Sequence, residues 1–145
     1  MIRLASSANG FACGVDISDD SKLKWGRSAY HKTQEMKLFQ TSEYAKNENN
    51  YLDDGVKFKS AYTNLGSFYD FLGAEALPEL VQVCYGGLFA ASVTNIKNTD
   101  SSIWKKIEKT LSRGNNIEEG HFVERTWGPL LSSPLQPFQI EALLK

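Results

Sequence analysis

Cysteine is scarce. Cys13 and Cys84 are the only two, too few for a disulfide-dense framework. Both stand among small or apolar neighbours, and unpaired cysteine is among the most buried residue types, so two buried free thiols are the expected state and a disulfide the alternative. No Asn-x-Ser/Thr acceptor occurs. No apolar run approaches the roughly 20 residues that span a bilayer, and the N-terminus lacks a basic segment followed by an apolar core. With no visible export or membrane signal, the chain reads as soluble and cytoplasmic. Basic residues are scattered, and a formal charge of -1 gives no electrostatic footing for nucleic acid or an anionic membrane. The patterns Gly-x-Gly-x-x-Gly, Gly-x-x-x-x-Gly-Lys and Gly-x-Ser-x-Gly are all missing, which disfavours dinucleotide, ordinary nucleotide-triphosphate and serine-nucleophile chemistry.

What is there suits one α/β domain, residues 1–145, with a mixed sheet and packed helices. The 145 residues, 41% hydrophobic and 23% charged, are enough to bury a core without staples. The chain stops inside the helical pattern Phe138, Ile140, Ala142, Leu143, Leu144, which reads as a fragment of a larger domain.

Along the chain, Phe11 to Val15 reads as a strand entering an acidic loop, where Ser18, Asp19 or Asp20 caps a helix holding Leu23 and Trp25. Lys24-Trp25-Gly26-Arg27 reads as a surface-anchored Trp with snorkelling basic neighbours. A helix is expected from about Thr33 to Tyr44, and the clearest loop runs over 46–57. Tyr62, Leu65, Phe68, Tyr69, Leu72, Ala76 and Leu77 form a helical face closed by Pro78. Val81 to Ala91 reads as one buried strand, with Gly86-Gly87 a bulge or close backbone approach. A helix over Ile103, Trp104, Ile107 and Leu111 is capped from Thr99-Asp100-Ser101 and stops at Arg113-Gly114. Asn115-Asn116 caps the next helix, whose first turn carries Glu118 and Glu119, and Trp127-Gly128-Pro129 ends it. A proline-rich loop then leads to a final helix.

The stretch from Val81 to Leu131 gathers the residues that suggest a ligand site. Glu118, His121 and Glu124 are spaced by three and would share a helical face, as in helical metal sites. Such a site needs a second ligand pair, and His31 is the only other histidine, so no metal ligand is assigned. A metal-dependent hydrolase built on His121 and Glu124 stays a minor alternative.

Gly86-Gly87-Leu88-Phe89-Ala90-Ala91-Ser92, a Trp-bearing helix, Gly114-Asn115-Asn116-Ile117-Glu118-Glu119 and then Arg125-Thr126-Trp127 resemble the later half of GT-A nucleotide-sugar glycosyltransferases. The resemblance implies transfer from, or binding of, a sugar or nucleotide-sugar. It implies a sugar-contacting glycine strand at Gly86 and Gly87, further substrate contacts at Phe89, His121, Arg125 and Trp127, and a catalytic carboxylate at Glu118 or Glu119. An acceptor hydroxyl must lose its proton as the anomeric carbon gains positive character, so a carboxylate there is chemically apt. The Asp-x-Asp of that superfamily does not occur in this sequence. A divalent cation such as Mn²⁺ would therefore come with a preceding half, and the chain alone would bind UDP-sugar poorly. The other reading is a non-catalytic interaction module displaying Trp25, Trp104 and Trp127 around a core.

Overall fold

Four short strands and seven helices lie among the described residues, a mixed α/β composition. In chain order they are β1 (Phe11–Cys13), β2 (Ser28–Lys32), α1 (Thr33–Lys37), α2 (Leu65–Leu72), β3 (Leu80–Cys84), β4 (Phe89–Ala91), α3 (Val93–Asn98), α4 (Ser101–Leu111), α5 (Glu118–Glu124), α6 (Trp127–Leu131) and α7 (Pro137–Leu143). The computed structural model describes residues 10–14, 28–41, 55–74 and 77–144. The expected capping acids near Asp19, the Trp25 cluster and most of the 46–57 loop lie outside them. The chain divides into two units, one of Met1–Thr33, Ala76–Thr99 and Glu124–Lys145, the other of Gln34–Glu75 and Asp100–Val123.

In the first unit the expected mixed sheet is replaced by two antiparallel pairs. Strand β1 faces β4, with Cys13 opposite Phe89, and β2 faces β3, with Ser28 opposite Cys84. A disulfide between Cys13 and Cys84 joins the two pairs, correcting the free-thiol expectation. Both cysteines are buried, as free thiols would be, so burial alone could not separate the two states. Phe11, Val81, Val83 and Leu131 supply much of the core.

The single strand expected over Val81 to Ala91 is two strands. Cys84 accepts a hydrogen bond from the Gly87 N–H at 3.0 Å, closing a β-turn whose glycines have φ of 84° and 69°. Left-handed backbone at two successive positions is cheap only for glycine, so this dipeptide turns the chain where a bulge or close backbone approach was expected. The short helix α3 follows, with the Ser92 hydroxyl accepting from Asn95 N–H at its N-terminus.

The second unit is built on aromatic and aliphatic faces. The helical face expected from Tyr62 to Leu77 is confined to α2, because Asn64 caps it with a reciprocal Ser67 contact and Gly73, at φ 68°, ends it. Lys106 Nζ donates to the carbonyls of Phe71 and Leu72 at 2.9 Å, filling acceptors that a helix end leaves open. Helix α4 matches its expected span. Ile103 and Ile107 are its buried stripe, and the rings of Phe39 and Phe68 lie 6.2 and 5.7 Å from that of Phe122. Helix α1 stops at Lys37 rather than near Tyr44, and Phe39 past it accepts from Leu65 N–H at 3.0 Å. Trp127-Gly128-Pro129, expected to end a helix, instead opens α6.

Candidate functional site

Glu118 and Glu119, the expected catalytic pair, open α5 in the second unit and are 2% and 3% exposed. Glu118 is held from three sides. Its Oε1 accepts from the Thr41 hydroxyl and from Lys59 Nζ at 3.1 Å, and its Oε2 accepts from Ser60 N–H at 2.8 Å. Burial pushes its pKa up, but the hydrogen bonds from Thr41, Ser60 and Lys59 and the lysine charge outweigh that and leave it below the usual carboxylate value. Glu119 faces the Arg113 guanidinium two-pronged, Nε to Oε1 at 2.9 Å and Nη2 to Oε2. Arg113 also donates to the carbonyls of Lys57 and Phe58, and Phe58 O accepts from Glu118 N–H at 3.0 Å. The two carboxylates thus clasp the 57–60 segment against the start of α5.

A pH dependence follows from Glu118. Its folded-state pKa lies below its unfolded one, so its contribution to stability is complete above the unfolded value, 4.5, and is lost as pH falls through the lowered folded value. Chemical denaturation across pH 7 to about 2 should show stability falling below about pH 4.5, and Glu118→Gln should flatten that fall.

His121 is also in the second unit, its ring 6.1 Å from that of Phe58. The spacing that suggested a shared Glu118, His121 and Glu124 face does not gather those side chains on one ligand: Glu118 takes Thr41, Lys59 and Ser60, while Glu124 takes Gly86. Among the described residues no group of three or more His, Cys, Asp and Glu is arranged to hold a metal ion.

The first unit brings together Gly86, Gly87, Phe89, Arg125 and Trp127. Glu124 Oε1 accepts from Gly86 N–H at 2.6 Å, and its Oε2 accepts from Arg125 Nη1 at 3.0 Å. The Arg125 guanidinium, nearly buried, lies 5.5 Å from the centre of the Tyr85 ring, a cation–π placement. The Tyr85 hydroxyl and His31 Nε2 are 2.9 Å apart. On the other side of the turn the rings of Trp127 and Phe89 are 5.6 Å apart, and Phe89 in turn lies 5.2 Å from Phe11. Gly86, Gly87 and Leu88 are exposed, and Tyr85, Phe89 and Trp127 are half-buried around them.

Tyr85 and His31 were not expected here. Tyr85 stands directly before the glycine pair, a signal legible in the sequence. His31 lies on β2, which pairs with a strand some 50 residues away, and nothing local announces that.

The first unit also has a pocket of about 60 Å³ lined by Phe11, Tyr30, Leu80, Gln82, Ser132 and Gln139, among others. Sites for drug-sized ligands span roughly 300–1,000 Å³, so this one suits a small substituent, not a nucleotide-sugar. Comparison with protein-family models, curated proteins and solved structures finds no match for the chain.

Proposed function

We propose that the chain is a non-catalytic sugar-binding domain, with the Tyr85-Gly86-Gly87 turn and its aromatic flanks as the contact surface. The observation that carries this is the state of the two glutamates. A carboxylate serving as base must be reachable and must accept a proton, whereas Glu118 is buried under three donors with its pKa lowered, and Glu119 is locked to Arg113. The likeness to GT-A glycosyltransferases is kept here as a guide to ligand class, not to reaction.

The turn offers what a sugar needs. Half-exposed aromatic rings can stack on its C–H faces, while the backbone carbonyls of the exposed Gly86 and Gly87 can accept from its hydroxyl groups. The Cys13–Cys84 disulfide supports an oxidising compartment as the place of work, over the cytoplasm expected from sequence.

The test is calorimetric titration of the full chain with monosaccharides, short glycans, and UDP- and GDP-sugars, with and without Mn²⁺. Sugar binding that needs neither nucleotide nor metal, and that weakens about tenfold in Trp127→Leu (1.4 kcal/mol), is the expected result. Release of UDP or GDP from a donor in the presence of an acceptor would overturn the non-catalytic reading. Silence across every sugar would overturn the ligand class. A second reading, protein binding, is favoured by the exposed Leu88 and by the exposed Val93 and Ile96 on α3. Sugar-independent self-association in sedimentation, abolished by Val93→Ser/Ile96→Ser, would support it.

A further inference from the structure

The connection between β3 and β4 is anchored at both ends through one three-residue strand. At its start, Cys84 is bonded to Cys13. At its end, Cys13 is the register partner of Phe89, and the next residue, Gly14, donates its N–H to Leu88 O at 2.7 Å. The other described ladder contact just beyond β1 is Ser92 N–H to Gly10 O at 2.7 Å, which again ties β1 to the β4 side. Among the described backbone pairings, β1 therefore reaches β4 by hydrogen bonds and β3 by sulfur. Breaking the sulfur bridge removes the covalent tie of β3 to this frame and leaves the turn that carries Tyr85, Gly86 and Gly87 on hydrogen bonds, the β2–β3 ladder and the Glu124 contact to Gly86 N–H. Both cysteines belong to the first unit, so the second has no thiol chemistry to respond with.

We infer that the Cys13–Cys84 disulfide is a redox gate on the Tyr85–Gly87 turn, ordering it when oxidised and releasing it when reduced, while the second unit stays folded. The reductant is a dithiol. One of its thiolates attacks a cysteine sulfur, the Sγ–Sγ bond breaks and a mixed disulfide forms. The second thiol then resolves that intermediate. Two electrons pass to the protein, the two thiol protons end on Cys13 and Cys84, and the dithiol leaves as its own disulfide. Both sulfurs lie in buried residues, 7% and 2% exposed, so reduction proceeds through opening of β1 and the gate responds to sustained reducing conditions.

The gate is read without any ligand, so it stands or falls separately from the sugar assignment. The experiment is amide hydrogen exchange on the full chain, oxidised and after reduction with dithiothreitol, with Cys13→Ala/Cys84→Ala as a second route to the same state. Exchange at the Gly14 and Gly87 amides should quicken about tenfold or more on reduction, while the Phe68 and Gly73 amides of the second unit hold within about twofold. The double variant should reproduce that pattern. Unchanged exchange at Gly14 and Gly87 in both reduced forms would overturn the gate. So would loss of protection in both units together, because the disulfide would then support the whole fold and not the turn.

Discussion

Replacing Gly128 with alanine is expected to destabilise the first unit by about 3 kcal/mol or more, although the residue sits in a helix, where alanine is ordinarily favoured. Two effects of opposite sign compete. Helix propensity alone would make Gly→Ala stabilising by up to about 1 kcal/mol. Against it stands contact: a Cβ on Gly128 would lie 1.9 Å from the Gln82 carbonyl oxygen and 3.0 Å from its carbon. Ordinary C···O contacts are roughly 3.3–3.6 Å, so α6 and β3 would have to part by more than an ångström. The obstacle is backbone, not the tip of a flexible side chain. That backbone belongs to a strand paired with β2 and ending in the disulfide at Cys84, so its movement disturbs both connections at once. Urea unfolding followed by circular dichroism decides the matter through the sign of the midpoint shift. A Gly128→Ala chain as stable as the parent, or more so, would mean that α6 does not lie on β3 at this distance.

Gly128 also shows where sequence reading stops. As Trp127-Gly128-Pro129 it looks like a helix terminus, since Gly and Pro punctuate helices from either side. What it needs glycine for is the approach of Gln82, 46 positions earlier, which local pattern does not encode. The same division runs through the chain. Helix α4 was legible because Ile103 and Ile107 keep helical spacing behind the capping residue Asp100, all within one short window. The β1 segment and the start of β3 were legible from apolar runs. Strand β2, with the polar sequence Ser-Ala-Tyr-His-Lys, was not, because its character comes from pairing with β3. Gly86-Gly87 marked a special backbone position correctly, but a bulge and a turn draw on the same freedom of φ, and only the hydrogen bond from Gly87 N–H to Cys84 O separates them. The glutamates are the sharpest case. Two adjacent acids at a helix start suggest chemistry when their partners are unseen, and those partners, Thr41, Lys59 and Ser60, arrive from as far as 77 positions away.

The second large effect concerns the partner of Glu119. Arg113→Met is expected to cost the second unit roughly 2–3 kcal/mol, toward the low end of what breaking a buried ion pair costs, because the arginine side chain is 32% exposed and water already screens part of the charge. The damage comes less from lost attraction than from what stays behind. Glu119, whose side chain is 4% exposed, would be a buried carboxylate without its cation, and the carbonyls of Lys57 and Phe58 would lose their guanidinium donors. Arg113→Lys should recover only part of the loss, since a single ammonium cannot meet both carboxylate oxygens and two carbonyls in a planar fork. The double change Arg113→Met/Glu119→Met removes the stranded charge as well, so it should be less destabilising than Arg113→Met alone. That ordering, measured as a double-mutant cycle in denaturant, separates a structural clasp from a catalytic carboxylate held ready by an arginine. In the clasp, the coupling appears in stability. If instead the double variant were the least stable of the set, the Glu119 carboxylate would be tolerated without Arg113. Its burial would then owe nothing to this pair, and the case for a free, reactive glutamate would be open again.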